Sequence, residues 1–162
     1  MAHVDLFIWR HAEADDTSPD LARALTAKGR RDASRVGRAL ARLVGDDTRI
    51  IASPAVRTRQ TAAALVEPTK LTLGVEPRIA PGAPVDAAIA TVETAIAAAR
   101  GGTASIVVVG HQPWVGQLAH HFLTGRDGDW AFRKAAAWWL VRRERGGETE
   151  WTLKSVLDPD VV

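Results

Sequence analysis

Along the chain, short unbroken apolar runs alternate with longer stretches in which apolar residues recur every three or four positions. "VDLFIW" (4–9) reads as a buried strand, and the segment 26–44 places Ala33, Val36, Leu40 and Leu43 on one helical stripe, with Thr26 as its cap. "RIIAS" (49–53) is a short strand; Ser53 is then expected to cap, and Pro54 to open, the helix that follows. "KLTLGV" (70–75) is a further strand, and 85–100 is a helix with Val85, Ile89, Val92 and Ile96 in register, ended by Gly101-Gly102. "ASIVVVG" (104–110) is apolar throughout, as a central strand of a parallel sheet is. Pro113 opens a helix carrying Trp114, Leu118 and Phe122 and stopped by Gly125. Two strands flanking Arg145-Gly146-Gly147 then form a hairpin.

This order predicts a three-layer α/β/α architecture with a mostly parallel central sheet and a C-terminal antiparallel hairpin. At 162 residues and 46% hydrophobic composition, one domain spanning 1–162 is expected. There is no cysteine, which excludes disulfides, thiolate metal sites and a cysteine nucleophile and fits a reduced compartment. No apolar run approaches the roughly 18 residues of a membrane span, so no membrane partner and a cytoplasmic location are expected. The isoelectric point is near 9.5, yet the net charge is only +2, because without Tyr or Cys little titrates between the histidines and the lysines. The footprint of a nucleic-acid binder is therefore weak, and no nucleic-acid partner is expected. The cations are mostly arginine, since lysine occurs only at 28, 70, 134 and 154, and arginine's fork suits phosphate and carboxylate.

Crossover connections between parallel strands are right-handed and deliver every strand's C-terminal end to one edge, where ligands bind. Arg10 and His11 follow the first strand, Ser53 and Arg57 the second, and His111 and Gln112 the central one. Two imidazoles and two guanidiniums brought together repel unless an anion joins them, and a phosphoryl group fits. His120 and His121 are helix neighbours pointing roughly 100° apart and cannot share one ligand. His3 reads as a surface residue, and Trp114, Trp138 and Trp139 as core or rim. No dinucleotide-binding glycine pattern and no Walker loop is present.

Four segments, "RHAEA" (10–14), "LTAKG" (25–29), "SPAVRTRQTA" (53–62) and "VVVGHQP" (107–113), resemble in type, order and spacing the signature motifs of the histidine phosphatase superfamily, with its phosphoglycerate-mutase-like fold. Within it the chain is most similar to the short SixA-like phosphohistidine phosphatases. The resemblance implies that His11 is the nucleophile, attacking phosphorus to form a phosphohistidine that water cleaves. Arg10 and Arg57 hold the nonbridging oxygens, protonated His111 supplies a further donor, Ser53 and Gln112 complete the substrate site, and no metal or other cofactor is required. One position departs: Ala12 stands where the family has glycine, which a positive φ would make strained.

Larger members carry a long insertion that encloses the pocket and supplies a carboxylic acid, whereas here only "GVEPRIAPGAP" (74–84) is available. An open rim fits a phosphohistidine-bearing protein as substrate, with inorganic phosphate as product. Among the acids Glu13, Asp15, Asp16, Glu76 and Asp86, Glu13 is favoured as general acid for its closeness to the nucleophile. Two alternatives stand beside this reading: a small-molecule phosphomonoesterase, and a catalytically silent phosphate-binding domain.

Overall fold

A computed structural model describes residues 2–162. The chain order is β1 (His3–Arg10), α1 (Ala27–Ala41), β2 (Arg49–Ala52), α2 (Val56–Thr69), β3 (Leu73–Val75), α3 (Val85–Ala97), β4 (Thr103–Gly110), α4 (Trp114–Thr124), β5 (Ala137–Arg145) and β6 (Glu148–Leu157), with short 3₁₀ turns between. One sheet orders the strands β3-β2-β4-β1-β5-β6. The first four run parallel, and β5 and β6 run antiparallel to their neighbours, so the expected mixed sheet with its hairpin is present.

Alternation along the two central strands makes two cores. Leu6, Ile8, Ile106 and Val108 face α3 and α4, where they meet Val92, Leu118 and Phe122. Phe7, Trp9, Val107 and Val109 face α1 and α2 and meet Val36, Leu40 and Leu65. Both faces of β1 and β4 are thus buried, which is why these strands read as continuous apolar runs rather than alternating ones. Each such side chain contributes roughly 1.5–3 kcal/mol on burial, enough to hold the strand ends at fixed positions.

Several boundaries differ from the sequence expectation. Helix α1 stops at Ala41, leaving Leu43 exposed beyond the buried stripe. Helix α2 begins at Val56 with Ala55 at its N-cap, and no side chain caps it: Ser53 and Pro54 lie before the helix. The strand expected over 70–75 is only Leu73–Val75, because Lys70 ends α2 in a left-handed conformation, its N–H donating to the Val66 carbonyl. Helix α3 likewise ends at Ala97. Thr26 does cap α1, its hydroxyl accepting from the Gly29 N–H. At Gly29 a β-carbon would lie 2.0 Å from the carbonyl oxygen of Glu13, so glycine lets α1 start against the loop that follows β1.

Candidate active site

Parallel pairing aligns Arg10 of β1 with Gly110 of β4, and Ala52 of β2 with Val109 of β4. The residues just beyond these ends therefore share one edge. The His11 N–H donates to the Gly110 carbonyl (3.0 Å) and the Ser53 N–H to the Val109 carbonyl (3.1 Å), carrying the ladder one step past the strands. The rings of His11 and His111 come to 5.3 Å between centroids, tilted by 56°. Arg57, one residue into α2, is only 4% exposed and completes the cluster with Arg10.

Each imidazole is oriented by one of its nitrogens. Nδ1 of His11 lies 2.7 Å from the Ala12 carbonyl oxygen, which accepts only from an N–H, so Nδ1 carries the proton and Nε2 keeps a lone pair. Burial pushes His11 from its usual 6.5 down to about 4; the Ala12 hydrogen bond opposes this, and the charges of Arg57, Arg10 and Arg23 add to the fall. His111 is 3% exposed, with Nε2 lying 2.6 Å from the Ser53 hydroxyl. Burial, then the charges of His11 and Arg57, push it down to about 3, against the opposing charge of Asp20. Both imidazoles are neutral in the free protein at pH 7. This suits a nucleophile at His11, and the protonated His111 that the resemblance implies is not its form in the free protein at pH 7.

Beside these rings Arg10 Nε, Arg57 Nε and His111 Nδ1 are buried without a hydrogen-bond partner. They come from three separate segments that fold to one edge. Buried donors are ordinarily paired, so three orphans on one edge mark a place shaped for an oxygen-rich anion. The uncapped first turn of α2 adds its positive end there. Ala12 fits without strain: it is fully buried, its N–H donates to the Thr61 hydroxyl (3.1 Å), and the positive-φ residues other than glycine are Lys70 and Ala135.

The two expected substrate ligands, Ser53 and Gln112, are hydrogen-bonded to protein groups in the free protein. The Ser53 hydroxyl faces His111 and accepts from the Ala55 N–H (3.3 Å). The Gln112 amide donates to the Trp130 carbonyl (2.9 Å) and to Asp129 (3.1 Å) and accepts from the Phe132 N–H (3.3 Å), so it fastens the loop before β5. That loop in turn holds the site, because Arg10 Nη1 donates to the Phe132 carbonyl (2.6 Å). The Glu13 carboxylate accepts from the Thr26 hydroxyl (2.9 Å) at the start of α1. Asp15 and Asp16 lie in the same loop, Glu76 binds Arg78, and Asp86 lines a separate small cavity with His121.

The loop between β1 and α1 holds two residues that sequence reasoning missed. Arg57 Nη1 donates to the Asp20 carbonyl (2.9 Å) and Nη2 to its carboxylate (3.2 Å), while Arg23 Nη1 reaches the other carboxylate oxygen (3.3 Å). No periodicity or motif announces a loop contact of this kind. Among the described residues no group of three or more His, Asp or Glu is placed to hold a metal ion, and no helix is long and apolar enough to cross a membrane.

Residues 6–80, just under half the chain, match the family model described as histidine phosphatase superfamily (branch 1), as the motif resemblance anticipates. The chain is similar to the solved structure of the protein histidine phosphatase SixA complexed with tungstate, at 24% identity over 96% of this chain and 97% of that one, with a TM-score of 0.78. It is similar at 24% identity to the structure of a candidate phosphohistidine phosphatase SixA from Nakamurella multipartitia, over 98% of each chain and with a TM-score of 0.76. A mycobacterial glucosyl-3-phosphoglycerate phosphatase shares the fold too, at 19% identity over 94% of this chain and 97% of that one, with a TM-score of 0.71. At these identities the likeness is one of fold. No curated protein matches the sequence.

Proposed function

We propose that this protein is a metal-independent phosphatase of the histidine phosphatase superfamily, acting through a phosphohistidine on His11, with phosphohistidine on a cytoplasmic protein as its substrate. The observation that carries the reading is the pairing of a neutral His11, its Nε2 lone pair free, with three unpaired buried donors on Arg10, Arg57 and His111.

In the first step the Nε2 lone pair of His11 forms a bond to phosphorus as the bond to the leaving atom breaks. The leaving group keeps that electron pair and takes a proton from water. Arg10 and Arg57 carry the charge that spreads over the nonbridging oxygens, and the His111 N–H adds a neutral donor. In the second step water attacks phosphorus as the N–P bond breaks with its electron pair returning to His11 Nε2; the proton that water gives up neutralises the hydroxide left by the first step, and inorganic phosphate leaves with the neutral His11 regenerated.

An open rim supports a protein substrate. The connection from β3 to α3 is short and pinned down: the Glu76 N–H donates to the Ala52 carbonyl (2.9 Å) and Ile79 is fully buried, so no insertion arches over the edge. Small metabolites usually need more enclosure than this. A phosphomonoesterase acting on a small molecule remains the second reading, favoured by the fold shared with the glucosyl-3-phosphoglycerate phosphatase.

The test is acid-quenched trapping of label from a ³²P-phosphohistidine protein, with EDTA present throughout. Wild type is expected to retain label and turn over, and His11→Ala to do neither. Turnover by His11→Ala, or a loss of wild-type turnover that added metal restores, overturns the proposal.

A further inference from the structure

We propose that Asp20 is a specificity-determining residue of this anion site: its carboxylate lies on Arg57 and Arg23 as an internal competitor that an incoming phosphoryl group displaces. The proposal rests on the phosphatase reading above, since it takes the cluster of Arg10, Arg57 and His111 to be the phosphoryl site.

Arg57 is the most enclosed of the arginines at this edge, and both of its terminal nitrogens are already engaged by Asp20, leaving only Nε without a partner. A phosphoryl group held bidentately by Arg57 must use at least one of those terminal nitrogens, because a guanidinium offers paired N–H groups in a fixed fork. The carboxylate is well placed to yield. Its side chain is 54% exposed, it sits on the short turn Asp20–Ala22, and its second oxygen is held by Arg23 across a 3.3 Å contact. A carboxylate on that turn can leave for solvent while the turn stays in place.

Asp20 is not poised to donate a proton. Partial burial pulls its carboxyl upward, but the hydrogen bonds and charges of Arg57 and Arg23 outweigh that and hold it below the usual carboxylate range. What it offers is a fixed negative charge that every ligand must outbid. A dianionic phosphoryl group makes stronger charge-assisted bonds to two arginines than a carboxylate does, whereas a singly charged anion gains little by the exchange. Asp20 thereby screens out weak anions, and its return to Arg57 helps expel inorganic phosphate after the second step.

The contrary role, a buttress that holds Arg57 ready for substrate, makes the opposite prediction. In Asp20→Asn the main-chain carbonyl still accepts from Arg57 Nη1, so the arginine stays placed while the competing charge is gone. Calorimetric titration with inorganic phosphate, tungstate and acetate, on wild type, Asp20→Asn and Asp20→Ala, separates the two. Both variants are expected to bind phosphate and tungstate about tenfold tighter than wild type and to narrow the preference for phosphate over acetate. In turnover KM is expected to fall and product inhibition by phosphate to strengthen. Unchanged or weaker phosphate binding in both variants, with wild type still hydrolysing phosphoesters or phosphohistidine, overturns the competitor and leaves the phosphatase reading intact. Failure of all three proteins to bind either oxyanion, with no turnover, overturns both.

Discussion

The Ser53 hydroxyl and Nε2 of His111 are 2.6 Å apart, in a place where neither side chain is more than 3% exposed. Because Ser53 Oγ already accepts from the Ala55 N–H, its own hydrogen is free to donate to the Nε2 lone pair of a neutral imidazole. With that donation made, the proton of His111 is on Nδ1, the nitrogen without a partner, and in the proposed reaction that N–H is the donor offered to the phosphoryl group.

This contact makes Ser53 a positioning residue for His111. Ser53→Ala is expected to leave Nε2 unpaired at a cost of about 1–3 kcal/mol and to free the tautomer, lowering kcat by roughly 10–100-fold with little change in KM. ¹⁵N shifts of the His111 ring are the direct check. Wild type is expected to show protonated Nδ1, and Ser53→Ala a mixture.

The lowered histidines set a pH dependence whose sign is fixed. In the unfolded chain both imidazoles bind a proton near 6.5, whereas in the folded protein His11 does so only near 4 and His111 near 3. The unfolded state holds more protons throughout this window, so stability is full above about pH 6.5 and falls as the pH drops through it. Each group contributes a slope of up to about 1.4 kcal/mol per pH unit, less for the partly exposed His11. Denaturant titrations from pH 7 to pH 4 are expected to show the decline, and His111→Asn to flatten it. NMR titration of His11 is expected to give a midpoint near 4.

Gln112 is tied to the site through a loop. Its amide spans Asp129, Trp130 and Phe132, and the Phe132 carbonyl accepts from Arg10. Gln112→Ala leaves those loop groups to find other partners, at about 1–3 kcal/mol, and loosens Arg10. KM for a phosphoester is expected to rise several-fold and Tm to fall, while kcat at saturation stays within a factor of a few. Gln112→Glu, which keeps the acceptor for the Phe132 N–H, is expected to fall between.

Which of these relationships sequence could disclose follows from what each depends on. Arg10, His11 and His111 were legible because they stand at or just after the ends of strands whose apolar runs are unmistakable, and parallel topology sends all such ends to one edge. Arg57 was legible from the strand-to-helix turn that carries it. Ser53 and Gln112 stand at that edge as expected, but the partners they hold in the free protein, His111 and the loop before β5, were not legible, since position does not say which way a short polar side chain turns. Ser53 was read as a helix cap because Ser-Pro commonly is one. Here the helix starts two residues later, and the hydroxyl is left for His111. Asp20 and Arg23 were missed because a loop without regular structure has no periodicity to place it. Ala12 was suspected of strain that its φ does not have.

The final expectation concerns the leaving group. The groups that face the anion hold no acidic proton in the free protein near neutral pH: both imidazoles are neutral, each with a single weakly acidic N–H, and Asp20 is kept ionised. Glu13 is turned to Thr26. A serine leaving group departs as an alkoxide unless an acid protonates it, and such help is typically worth roughly 10²–10⁴-fold. A phosphorylated imidazole departs more readily, since its nitrogen, with an unperturbed pKa of about 6.5, takes a proton from water near neutral pH. The site as built therefore loses little on a P–N bond and much on an unactivated P–O bond. For wild type, kcat/KM is expected to be at least about 100-fold higher for a phosphohistidine protein than for a phosphoserine peptide. p-Nitrophenyl phosphate, whose leaving group needs no proton, is expected to be turned over, and Glu13→Gln to leave all three ratios unchanged. Equal efficiency on phosphoserine, removed selectively by Glu13→Gln, would establish Glu13 as a general acid and move the protein to the phosphomonoesterases.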